Sequence, residues 1–118
     1  MSAFSDLERE YLTAERRLAR VATVARDGTP HVVPVGWVFD PEDDAIVIGG
    51  LELEKTKKYR DVQTTGRAAV VIDDLASVDP WRPRGVEIRG RAVAVAEPTA
   101  VIRVYPERVV SWGLDRTA

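Results

Sequence analysis

The stretch "RVATVARDGTPHVVPVGWVF", residues 20–39, decides the fold. Its first part, RVATVAR at 20–26, is rich in small and β-branched residues, which sit well on a pleated surface. Asp27-Gly28 comes next. Asp-Gly between two such runs predicts a tight hairpin turn with positive φ at both central residues. Residues 31–39, HVVPVGWVF, supply the returning strand. Pro34 has no N–H to give a ladder, so this strand is expected at a sheet edge or bulged at that point.

Upstream of the hairpin the period is helical. Ser5 and Glu8 have the spacing of a capping box, in which hydroxyl and carboxylate each satisfy a free backbone N–H. Leu7, Tyr11, Ala14 and Leu18 give an apolar stripe, and the helix is expected to fray over 15–18. Downstream, Asp40-Pro41-Glu42-Asp43-Asp44 reads as a turn and AIVIG at 45–49 as a third strand. A short helix is expected over 57–64, started by Thr56 and ended by Gly66. RAAVVID at 67–73 is nearly all apolar, hence a central strand. After an expected loop at 79–85, VEIRGRAVAVAE places Val86, Ile88, Gly90, Ala92 and Ala94 on one face. Residues 101–105 and 108–112 add one or two strands around Pro106. Six or seven short strands, two helices and Gly/Pro turns predict a mainly β protein, a barrel or sandwich.

A chain of 118 residues fits a single domain over 1–118. A net charge of −2 argues against general nucleic-acid binding, so no nucleic-acid partner is expected. The absence of cysteine removes disulfides and thiolate chemistry and fits a cytoplasmic location. MSAFSDLERE lacks an apolar h-region, so no signal peptide is expected. No apolar run reaches the ~18 residues a membrane span needs. His31 is the one histidine, which rules out a His–His metal pair, and no metal ligands are assigned. Its default role is structural. Asp73-Asp74 reads as a solvated turn. Ser77 and Ser111 show no neighbouring base, so no catalytic side chain is assigned. Trp37, Trp81 and Trp112 suit core packing, a subunit interface or a flat cofactor wall.

"EKTKKYR", residues 54–60, is the unusual charge feature of this acidic chain. Lys57, Lys58 and Arg60 stand at the start of the expected helix, where the macrodipole is positive and cations are unfavourable. Free N–H groups and the Thr56 hydroxyl converge there too. Donors and cations together make an anion site, and a bound phosphate would turn the conflict into a match. A solvated lysine face is the plainer alternative.

These residues resemble the pyridoxamine 5′-phosphate oxidase-like split-barrel family. The matching stretches are LARVATVARDGTPHVVPVGWVFD at 18–40, IVIGG at 46–50, KTKKYRDVQTTGRAAVVIDD at 55–74, GVEIRGRAV at 85–93 and VIRVYPERVVSWGLD at 101–115. The last is similar to small members that use the deazaflavin coenzyme F420 rather than FMN. The resemblance implies a homodimer of six-stranded antiparallel split β-barrels with cofactors in clefts at the interface. It places the cofactor phosphate on Thr56, Lys57 and Lys58, with Lys55 and Arg60 as helpers. The ring would lie along Val33, Pro34 and Val35, near Ile48 and Gly49.

The activity implied is hydride transfer between F420 and a small-molecule substrate. An FMN oxidoreductase and a non-catalytic flavin carrier are the alternatives. True pyridoxamine phosphate oxidases carry a longer C-terminal part, so that vitamin oxidation is not expected. F420 has a singly charged phosphodiester and an acidic tail, for which Arg82 and Arg84 in the PWRPRG loop are candidate partners. The apolar strands 45–49 and 67–72 are expected to leave surface for a second subunit to cover.

Overall fold

The computed structural model describes residues 1–114. Asp115, which ends one of the stretches above, and the rest of the expected domain to residue 118 lie outside the described residues. Helix α1 (Asp6–Ala14) opens the chain. Both arms of its capping box are present: Ser5 Oγ accepts from the Glu8 N–H, and Glu8 Oε1 accepts from the Ser5 N–H. Such a cap is worth about 1 kcal/mol. The expected stripe is only partly the buried face. Tyr11 and Leu12 are buried, whereas Leu7 and Ala14 face solvent and Leu18 is exposed beyond the end of the helix at Ala14.

Strand β1 (Ala19–Val24) pairs antiparallel with β2 (Pro30–Val35). The turn between them corrects the sequence expectation. Gly28 has φ +92°, but Asp27 is not among the positive-φ residues. The Gly28 N–H bonds Ala25 O, and the Ala25 N–H bonds Thr29 O. This is the longer hairpin, a turn followed by one left-handed glycine. Among the described residues, β2 pairs only with β1 and β3 (Trp37–Asp40) only with β4 (Ala45–Ile48). Pro34 therefore stands on an edge strand.

A 3₁₀ turn at Leu53–Lys55 leads into α2 (Lys57–Thr65). Thr56 caps α2, and Gly66 ends it at φ +68°. Beyond it come β5 (Arg67–Ser77), β6 (Arg82–Val95) and β7 (Val101–Trp112). β6 begins four residues earlier than expected. The Asp79–Gly85 segment is not all loop, because Arg82, Pro83 and Arg84 pair with Ser77, Leu75 and Asp74. β7 is one strand, not two. Its ladder slips at Pro106, so that Gly90 faces Pro106 and Arg89 faces Arg108. Glu107 is the extra residue of a bulge, the usual way a strand accommodates proline.

The seven strands of the described residues form one antiparallel sheet in the order β2-β1-β5-β6-β7-β4-β3. The residue pattern allowed six or seven strands, and the family resemblance implied six. The segment expected as one strand over 31–39 breaks at Gly36 into β2 and β3. Those two halves stand at opposite ends of the sheet order, yet one residue separates them. Consecutive Cα atoms are about 3.8 Å apart, so the sheet must curl until its two ends nearly meet. This is a half-open barrel. Val21, Val70, Ile72, Val86, Ile88, Ile102 and Val104 fill its interior. α2 packs against β1 and β6.

Strand 45–48 does not supply the uncovered surface expected of it, because Ala45, Ile46 and Ile48 are fully buried inside this chain. The exposed apolar residues lie elsewhere. Val32 is 63% exposed, and its neighbours across the ladder are Ala22 and then Ala69. Val24 is also exposed beside them.

Candidate functional site

Thr56 and the first turn of α2 form the donor end of the site. The Thr56 hydroxyl donates to Leu53 O at 2.6 Å and accepts from the Tyr59 N–H at 3.4 Å. It is therefore committed to the cap. The N–H groups of Lys57 and Lys58 make no hydrogen bond among the described residues, as expected for a helix start.

The cations are not equivalent. Lys55 Nζ pairs with Glu52 at 2.7 Å. Arg60 Nη1 donates to Lys55 O at 3.2 Å. Lys57 Nζ pairs with Asp61 at 3.2 Å. Lys58 makes no ion pair among the described residues. Two free N–H groups and one unpaired ammonium are the donor set of a phosphate site.

Asp61 was missed at the sequence level. It is 5% exposed and lies under α2 against β1. Thr23, fully buried, donates its hydroxyl to Asp61 Oδ2 at 2.8 Å. Burial pushes the Asp61 carboxyl up, but the Thr23 bond and Lys57 outweigh it and hold the group below the usual carboxylate range. The i,i+4 spacing of Lys57 and Asp61 was the available signal. His31 lies beside this cluster on β2, and its Nδ1 is buried without a hydrogen-bond partner among the described residues.

The expected ring residues divide by strand alternation. Val33 and Val35 face inward, half-buried and buried, while Pro34 is exposed. Ile48 is fully buried and offers no surface, since it pairs with Trp37 on one side and Ile102 on the other. Gly49, next along, is half-buried. Gly36 and Gly49 adjoin the Trp37–Ile48 pair, and a Cβ on either would meet nothing within 4 Å. Pro34, Val35 and Gly36 line an open hollow of about 420 Å³ with Arg16, Arg17 and Leu18. Bare backbone lining an open hollow suits a flat ring. His31 and Pro34 are three residues apart on β2, about 10 Å, and Gly36 roughly 17 Å from His31. His31 faces inward with Val33 and Val35, and Pro34 outward. A donor-rich helix start and bare strand backbone beside a hollow are the two features that a flavin-type group with a phosphate requires, and the residues present supply both.

Other candidates serve the framework. Asp74 accepts two bonds from Arg84, at 2.8 and 3.0 Å, one from Arg17 and one from the Tyr11 hydroxyl. Arg84 is thus committed to β5 and is not a free partner for an acidic tail. Asp73 pairs with Arg20. Asp73-Asp74 is accordingly an ion-pair centre rather than a solvated turn. Ser111 has an acidic neighbour after all, donating to Glu8 Oε2 at 2.6 Å, which ties α1 to β7. Trp37 belongs to the core, its indole N–H on Arg17 O at 2.6 Å, while Trp81 is 67% exposed.

A family model described as pyridoxamine 5′-phosphate oxidase matches residues 6–116. The chain belongs to this family. Among its relatives, a 5a,11a-dehydrotetracycline/5a,11a-dehydrooxytetracycline reductase of Streptomyces rimosus subsp. rimosus is 37% identical, over 95% of this chain and 84% of that protein. An FAD-binding protein from Mesorhizobium loti superimposes with TM-score 0.71 at 20% identity, over 92% of both chains. A structure described as F420 reductase gives TM-score 0.66 at 20% identity, over 86% of this chain and 94% of that one. At such identities the two structures establish the pyridoxamine 5′-phosphate oxidase-like fold.

Proposed function

We propose that this member of the pyridoxamine 5′-phosphate oxidase family is a reductase that uses F420 to reduce a small unsaturated substrate. The carrying observation is the 37% identity to a dehydrotetracycline reductase over nearly the whole chain. The bound deazaflavin would supply the hydride. Reduction of a C=C bond takes that hydride at one carbon and a proton, here from solvent, at the other. No side chain has to act as a nucleophile, and the protein contributes position and charge.

The Lys57 and Lys58 N–H groups and the Lys58 ammonium hold the cofactor phosphate. Pro34, Gly36 and Gly49 present the strand surface on which the ring lies. The row formed by exposed Val32 and half-buried Ala22 and Ala69 is covered by a second copy of the chain, which closes the cleft against water. The test supplies reduced F420 and a panel of dehydro-type polycyclic acceptors and follows reoxidation of the coenzyme. Acceptor-dependent turnover supports the proposal. Turnover with reduced FMN but not with F420 would replace the cofactor, and binding without turnover on any acceptor would leave a flavin carrier.

A further inference from the structure

Asp61 is a buried charge that the proposed chemistry does not use. A carboxylate out of water is unfavourable unless it is paired, and an apolar residue would tie helix to sheet without that cost. Three elements meet at it. Lys57 reaches it from α2, Thr23 donates to it from β1, and His31 lies beside it on β2. Asp27, in the β1–β2 turn, lies near the same ammonium. Its carboxyl is held low chiefly by the Thr29 N–H and in part by Lys57.

Residues 52–61 carry four cations and three carboxylates, a balance of one positive charge. Glu52 holds Lys55 and Asp61 holds Lys57, while among the described residues Lys58 and Arg60 have no carboxylate partner and Glu54 has no cation, so the net stays at one positive charge. One net positive charge matches an anion of one negative charge. A phosphomonoester carries close to two at neutral pH. Its second charge would stand uncompensated near the Asp61 carboxylate.

We propose that Asp61 sets the charge of the anion site, so that the site takes a singly charged phosphodiester in preference to a doubly charged phosphomonoester. The inference rests on the cofactor reading above. Asp61 is a positioning residue, acting through Lys57 and not touching the anion. The Thr23 bond holds its carboxylate toward the lysine.

Asp61→Asn keeps the shape and an acceptor for Thr23 and removes the charge. F420 and FMN are titrated against wild type and variant, following tryptophan fluorescence, at a pH of about 8, where the FMN phosphate is fully ionised. The FMN affinity should rise relative to that of F420 by about fivefold or more. Loss of both affinities by one factor would make Asp61 a fold tie alone and overturn the proposal, as would an unmoved ratio. If Asp61→Asn does not fold, Asp27→Asn decides from the exposed turn. It should move the ratio the same way by about twofold, and no movement overturns the proposal. Wild type that binds neither cofactor at micromolar concentration would strike down the cofactor reading along with this one. F420 binding with an unmoved ratio strikes down the charge assignment alone.

Discussion

Lys57 Nζ lies 3.2 Å from Asp61 Oδ1, one helical turn along α2, with the lysine side chain 43% exposed and the aspartate 6%. The pair straddles the barrel wall, one partner in water and the other out of it. Lys57 therefore has a task in the fold that Lys58 does not share.

The two lysines should separate on mutation. Lys57→Ala leaves Asp61 buried with Thr23 as its remaining partner, and should destabilise the protein by about 1–3 kcal/mol. Lys58→Ala should stay within about 0.5 kcal/mol of wild type. It should nonetheless weaken cofactor binding about tenfold through a lost charge-assisted bond. Urea denaturation and fluorescence titration of both variants check this. Equal stabilities would refute the division of roles.

Acid should loosen the join between α1 and the β5–β6 hairpin. Arg84 holds the Asp74 carboxyl down to about 2 against the upward push of burial, with help from Tyr11 and Arg17. The same group has an ordinary value of 3.8. A depressed folded value means that the stabilisation is complete above the unfolded value and is lost as pH falls through the folded one. The melting temperature should fall between about pH 4.5 and 2. Asp74→Asn should lower it at neutral pH and flatten that acid slope. Parallel acid slopes for variant and wild type would show that another group carries the effect.

Two glycines should respond in opposite ways to a methyl group. A Cβ on Gly90 would stand 1.9 Å from Tyr105 O, where β7 bulges against β6. Gly90→Ala should cost roughly 1–3 kcal/mol or more, since backbone has to move. Gly36 has open space at the same place. Gly36→Ala should leave stability unchanged or raise it by about 0.4–1 kcal/mol. It should also lower cofactor affinity if the ring takes the proposed place, because the methyl would project into it. Thermal melts and titrations test both halves, and wild-type affinity in Gly36→Ala would move the ring elsewhere.

Subunit pairing should depend on Val32. Val32→Lys places a charge at the exposed end of the row that Val32 forms with the half-buried Ala22 and Ala69. Light scattering should give about twice the 13.1 kDa chain mass for wild type and the single mass for the variant, with circular dichroism unchanged. A variant that remains dimeric would place the contact on another face.

Local rules carried much of this protein. Ser5 and Glu8 cap α1, Thr56 and Gly66 bound α2, and the alternation from Val86 to Ala92 is the buried face of β6, because each depends on neighbours a few residues away. Pro34 marked an edge strand for the same reason, a missing donor. The cation cluster was visible as composition, and its helix start as a capping pattern.

The tertiary structure decided what depends on partners distant in sequence. Asp61 looked like one more polar helix residue until Thr23, 38 positions away, was brought beneath it. Arg84 looked available until β6 began early and set it against Asp74. Ile48 looked like ligand surface until Trp37 and Ile102 closed over both its sides. Pairing across strands sets burial, and burial determines whether a charge must find a partner or stays in water. Propensity and spacing along the chain report the first few neighbours of a residue, whereas the identity of its partner across the barrel follows from the curl of the sheet at Gly36.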